Sequence, residues 1–183
     1  MKFAYADPPY LGCCKLYGHR HEEPYGCWDD IGTHDDLIHM LRESYPDGWA
    51  LSCSVPSLWD LLPVIPRVGT RICQWSKTFS AFKKGVRPAY AWEPVIVHGG
   101  RNPPAYPHAP PEKNGKQNTP KDFYEENGIF APISLKKGLT GAKPESVCRA
   151  IADWLNYMDG DELVDIFPGT GVMGRVLAQG VLL

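Results

Sequence analysis

Long apolar runs are missing from this 183-residue sequence, and none approaches the ~20 residues that a membrane-spanning helix needs. No opening apolar stretch has the make-up of a signal peptide. Charge of one sign is not in excess either: the formal net charge is −2, which argues against a strongly basic nucleic-acid binder. Cysteine is too sparse for a secreted disulfide scaffold, with six residues in a chain long enough to build a core without staples. Cys53, Cys73 and Cys148 sit inside apolar segments and read as small buried hydrophobes. Cys13, Cys14, His19, His21 and Cys27 are of metal-ligand type, yet their spacing fits no paired-knuckle pattern, and no metal site is expected. Internal repeats are absent as well. These absences leave one domain over residues 1–183 of a soluble, cytoplasmic protein with reduced thiols.

The hydrophobic fraction, 43%, suffices for a single sizeable core. Charge is distributed unevenly. Residues 67–143 carry thirteen Lys/Arg against five Asp/Glu, a local balance of +8, between flanks of −6 and −4. A basic middle on an acidic frame either tracks a phosphate backbone or is an ordinary solvated surface.

Phe3–Ala6 reads as a strand that Asp7-Pro8-Pro9 must stop, because proline cannot donate to a sheet ladder. Residues 11–34 show no period and read as a long loop. A helix is expected over 33–44, with Thr33 or Asp35 as its N-cap and Leu37, Ile38 and Leu41 on one face. Further strands are expected at 49–55, 71–75 and 91–98, with a short helix at 57–62. Six prolines make residues 101–120 a surface loop. A helix from Pro144 to about Tyr157 would bury Val147, Ile151, Trp154 and Leu155. Leu163–Phe167 reads as the last strand, with a helix from about Val172. Alternating strands and helices predict an α/β fold of three layers around a largely parallel sheet.

Two loops carry the chemistry, each directly after a strand. In Asp165-Ile166-Phe167-Pro168-Gly169-Thr170-Gly171, the glycines let backbone approach a ligand closely and the next helix offers N–H groups. Its acid and aromatic suit a nucleoside-like cofactor with a cationic amino-acid portion. In Asp7-Pro8-Pro9-Tyr10, two prolines stiffen the loop, Asp7 and the proline carbonyls are acceptors, and Tyr10 is a flat ring. That set matches a planar heterocycle bearing an amino group.

Ala6-Asp7-Pro8-Pro9-Tyr10 resembles the catalytic loop of the amino-methyltransferases that act on adenine N6 or cytosine N4 in DNA. The Asp165–Gly171 loop resembles their S-adenosylmethionine loop, and Lys143-Pro144-Glu145 their Lys-Pro element beside the cofactor. Trp92-Glu93-Pro94 is similar to a late-strand element of the same enzymes. The resemblance runs from residue 3 to about 176 and is to short, stand-alone DNA methylases of phage and actinobacterial type, in a bacterial or phage-infected cell. It implies a Rossmann-like methyltransferase fold, circularly permuted as in the beta group, with the catalytic loop first and the cofactor loop last. The strands ending at Ala6 and Asp165 would then be neighbours.

The resemblance further implies methylation of an exocyclic amino group, most readily adenine N6 in DNA, with RNA adenine, cytosine N4, a glutamine amide or an inactive nucleic-acid-binding scaffold as alternatives. Asp7, Pro8, Pro9 and Tyr10 would be catalytic, acting on a flipped or single-stranded base. Asp7, Pro8, Lys143, Asp165, Phe167, Pro168, Gly169, Thr170 and Gly171 would surround S-adenosylmethionine. Lys77, Lys83, Lys84, Arg87 and Arg101 are the expected contacts to the DNA backbone. Tyr17 and Trp28 would either clasp the base or anchor their loop on the core. The strand whose acid holds the ribose in such folds, about 20 residues beyond the glycines, does not follow here, so a C-terminally shortened fold or a completing partner, a homodimer among them, is expected.

Overall fold

The computed structural model describes residues 1–16, 28–81, 85–102, 120–125 and 143–180. Strand β1 (Lys2–Ala6) is buried on both faces because period-two alternation sends Phe3 and Tyr5 into one apolar layer and Ala4 and Ala6 into another. It pairs in parallel with β2 (Gly48–Ser52) on one side and with β6 (Glu162–Asp165) on the other. Beyond β2 lie β4 (Tyr90–Gly99), β3 (Thr70–Ala81) and β5 (Phe123–Glu125), giving the order β5-β3-β4-β2-β1-β6. Only β4 runs against the others, so the six-stranded sheet is mostly parallel.

Helices cover both faces, as a mostly parallel sheet requires. Against Phe3, Tyr5, Val95 and Val97 pack α3 (Glu145–Trp154) and α4 (Val172–Ala178), through Val147, Ile151, Met173 and Val176. On the opposite face α1 (Ile31–Ser44) and α2 (Leu58–Leu61) present Leu37, Ile38, Leu41 and Leu61 to Trp49, Leu51 and Ile96. Each such side chain, fully buried, contributes about 1.5–3 kcal/mol. The expected three-layer α/β architecture is the observed one. Among the described residues no helix is long and apolar enough to cross a membrane.

Four local expectations are corrected. Helix α1 starts earlier than Thr33, because the Asp30 side chain accepts the Gly32 amide at 3.1 Å and caps it; neither Thr33 nor Asp35 is the N-cap. Strand β3 runs on to Ala81, well past Trp75, since its polar second half still pairs with β4. Strand β5 was not foreseen: three residues are too short to show a period, and only pairing with Gln74–Ser76 makes Phe123–Glu125 a strand. Finally, α3 stops at Trp154, and Asn156 adopts a left-handed conformation (φ 53°) that turns the chain toward β6.

Candidate active site

Parallel pairing of β1 with β6 sets Tyr5 beside Asp165, so the loops that follow them leave the same edge of the sheet. In the first loop both prolines are buried, and the Cys13 amide donates to the Tyr10 carbonyl at 2.9 Å, closing a turn beneath Tyr10. In the second, Gly169 (φ 45°) and Gly171 (φ 69°) adopt left-handed backbone that a side chain would strain. Gly171 donates its own amide to the Pro168 carbonyl, and the Arg175 guanidinium fixes the Thr170 carbonyl at 2.7 Å. The loop is therefore braced from within.

A charged cluster lies over the α3 side of this edge. Lys143, at the entry to α3 with its side chain 7% exposed, donates to both Asp7 oxygens at 2.8 Å and to the Tyr10 hydroxyl at 2.9 Å. The Tyr10 hydroxyl lies 3.2 Å from Asp7 Oδ1 and 3.1 Å from Glu93 Oε2, so its one proton serves one carboxylate at a time. Glu93 Oε1 is ion-paired with Lys77, and Glu93 Oε2 stands 3.7 Å from Lys143 Nζ. Both ammoniums lie over the Trp75 ring, 4.9 Å and 5.9 Å from its centre. Burial works to raise the Glu93 pKa, but the Lys143 and Lys77 charges outweigh it and hold the carboxylate below its usual range. Burial first, and then the charge of Asp7, pushes the phenols of Tyr5 and Tyr10 well above theirs; Tyr5 is bonded to Ser52 at 3.0 Å. Both phenols stay neutral.

Asp165 differs from these acids. Burial pushes its carboxyl up to about 6, the Phe167 amide hydrogen bond (3.3 Å) opposes that, and the Asp7 charge adds to it. Among the described residues no cation lies within ion-pair distance of it. It is a carboxylate suited to a cation that none of the described residues provides.

The structure brings Asp7, Pro8, Pro9, Tyr10, Lys143, Asp165, Phe167, Pro168, Gly169, Thr170 and Gly171 to one edge of the sheet. The expected DNA contacts are scattered. Arg87 is exposed, while Lys83 and Lys84 lie outside the described residues. Lys77 stands with the charged cluster: alternation along β3 turns it to the same side as Cys73 and Trp75, onto Glu93. Arg101 stands apart from these. It follows β4 at the opposite edge, where its guanidinium holds Asp161 at 2.5 and 2.6 Å. Trp28 meets Phe167 and His34 edge-on, each at 5.2 Å, and packs against the core as a loop anchor. Tyr17, His19, His21 and Cys27 lie outside the described residues.

Glu93 is the site residue that the sequence reading passed over. Its motif, Trp92-Glu93-Pro94, assigns it no role, although period two from buried Val95 and Val97 points it inward.

No protein-family model matches the chain, and no curated protein matches it in sequence. Among solved structures, M1.HpyAVI in complex with SAM superposes with a TM-score of 0.50 at 13% identity, over 97% of this chain and 78% of that one. A second structure of M1.HpyAVI gives 0.52 at 12% identity, over 97% and 75%. Likeness at this identity establishes the fold alone, an α/β architecture of three layers around a mostly parallel sheet.

Proposed function

We propose that this protein is an S-adenosylmethionine-dependent methyltransferase acting on the exocyclic amino group of a nucleobase, adenine N6 in DNA first of all. The observation that carries the reading is the adjacency of β1 and β6, which places an amino-accepting loop and a glycine loop on one edge. The SAM bound by the structural neighbour supports the cofactor, and the permuted order of the two loops supports the beta-group relationship.

The residues present fit that cofactor. Asp165, half-buried and with no cation within ion-pair distance among the described residues, would take the ammonium of its amino-acid portion, with Phe167, Pro168, Gly169, Thr170, Gly171 and Lys143 around it. S-adenosylmethionine supplies an electrophilic sulfonium methyl group there. The nucleobase nitrogen is a poor nucleophile because its lone pair is delocalised into the ring. Asp7 and the Pro8 carbonyl accept its two N–H hydrogens, which favours a more tetrahedral nitrogen and places acceptors where positive charge develops. Asp7 takes the proton after transfer, and the neutral Tyr10 ring stacks on the base. That stack is worth about 1–3 kcal/mol, roughly what unstacking a base costs, so affinity must also come from the backbone.

Labelled methyl transfer to DNA and RNA, followed by nucleoside mass spectrometry, tests the reading. N6-methyladenine from DNA is the expected product; N4-methylcytosine or a product from RNA alone would change the substrate. No transfer together with no calorimetric binding of S-adenosylmethionine would leave a binding scaffold instead.

A further inference from the structure

We propose that Glu93 is a positioning residue of this site, the carboxylate that takes over the Lys143 ammonium when the target amino group occupies Asp7. The inference rests on the amino-methyltransferase reading and assigns a role to a side chain which that reading leaves unused. Lys143 donates to both oxygens of Asp7 at 2.8 Å, so either oxygen that would accept from the nucleobase amine already holds a charged donor. A neutral N–H cannot readily displace a charge-assisted donor, whose bonds are roughly twice as strong. Nor can the ammonium simply leave, because its side chain is 7% exposed and a buried cation without a counter-ion is costly.

Glu93 removes that obstacle. Its Oε2 is 3.7 Å from Nζ, so a shift of about 1 Å makes a hydrogen bond of ordinary length. Lys77 already occupies Oε1 and leaves Oε2 facing Lys143. The Tyr10 hydroxyl, within 3.2 Å of both carboxylates, can turn its proton toward whichever one the ammonium has left. Two carboxylates and two ammoniums are present before and after the shift, so the net charge of the cluster does not change. Its lowered pKa suits Glu93 to holding a cation and makes it a poor proton acceptor. The amine proton therefore remains the business of Asp7.

The test compares wild type with Glu93→Gln and Glu93→Asp on a single-stranded oligonucleotide containing one adenine. Glu93→Gln keeps the shape but removes the charge, and should lower kcat about thirtyfold, the size of one lost charge-assisted bond. Its affinity for S-adenosylmethionine should stay at the wild-type value although its unfolding midpoint falls, because Lys77 loses its counter-ion, and Glu93→Asp should restore part of kcat. With S-adenosylhomocysteine present, wild type should bind the adenine oligonucleotide more tightly than one abasic at that position, and Glu93→Gln should lose the preference. Wild-type kcat and preference in Glu93→Gln would overturn the inference and leave the methyltransferase reading standing. A loss of kcat per folded molecule matched by an equal loss of cofactor affinity would make Glu93 merely structural and overturn it too. If wild type neither transfers methyl nor prefers adenine, the functional reading itself fails and takes the inference with it.

Discussion

The two edges of the sheet each hold a cluster of buried charge, and they are built differently. At the edge where β1 begins, Asp161 is 5% exposed and gathers the Arg101 guanidinium, the Met1 ammonium at 2.6 Å and the Met158 amide at 2.9 Å. Arg101 and Asn156 also bond each other's carbonyls across the gap between β4 and α3. One carboxylate there ties backbone to backbone. At the opposite edge, Asp7 draws on side chains, Lys143 and Tyr10, and a second carboxylate stands ready for the same ammonium. Among the described residues the Arg101 guanidinium is ion-paired with one carboxylate, whereas the Lys143 ammonium has two within 4 Å. Charge in a protein interior therefore signals function less by its presence than by whether its partners can be exchanged.

The largest expected effect breaks the exchangeable cluster. Asp7→Ala should lower methyl transfer by about 10³-fold, as loss of a preorganised transition-state partner does. Calorimetry should find S-adenosylmethionine affinity little changed. Equal activity in that variant would remove Asp7 from the mechanism and, with it, the contrast between the edges.

At the other edge the same substitution should act on stability alone. Asp161→Ala leaves Arg101 unpaired and should cost about 3 kcal/mol, read from the denaturation midpoint, with kcat per folded molecule unchanged. The pH dependence has a definite sign. Burial acts to raise the Asp161 pKa, but hydrogen bonds from Arg101, the N-terminal ammonium and the Met158 amide outweigh it, so the carboxyl is held below its unfolded value. Its contribution is present above the unfolded pKa of about 4 and is lost as pH falls through the folded value. Asp161→Asn should flatten that part of an acid-denaturation profile.

Asp165 gives the opposite sign. Its folded value of about 6 lies above the unfolded one, so ionising it costs stability as pH rises between them, and a bound ammonium recovers the cost. S-adenosylmethionine affinity should weaken about tenfold for each pH unit below 6, and Asp165→Asn should bind weakly with a flat profile. A flat wild-type profile would place the cofactor's ammonium elsewhere.

How far the sequence foretold these edges depends on what each feature needs. The loops at Asp7–Tyr10 and Asp165–Gly171 were legible because proline and glycine act locally: they end strands and permit left-handed backbone wherever they occur. The strands around them were legible from apolar runs such as Val95–Val97. The partnership of Glu93, Lys77 and Lys143 joins three separate segments and exists only once β3, β4 and α3 converge on β1. Periodicity could still have turned Glu93 and Lys77 inward. Counting Lys77 with the other lysines of a basic stretch ignored the face on which its strand displays it. The Asp30 cap was missed for a related reason, since the helical period of Leu37, Ile38 and Leu41 marks a helix's body better than its first turn.

The smallest expected effect is a null that separates the edges by partner. Arg101 belongs to the charge-rich middle of the chain and so looks like a DNA contact, but it is committed to Asp161 on the far edge. Arg87 is exposed and Lys77 sits in the charged cluster. Each lysine or arginine that neutralises a phosphate steepens the dependence of log affinity on log salt by about 0.9 for duplex DNA and 0.7 for single strands. Arg87→Ala should shallow that slope by about one such step, whereas Arg101→Ala should leave the slope unchanged and lower only the unfolding midpoint. A shallower slope in Arg101→Ala at full folding would mean that nucleic acid wraps to the edge where β1 begins, and that the Asp161 cluster also exchanges its partner.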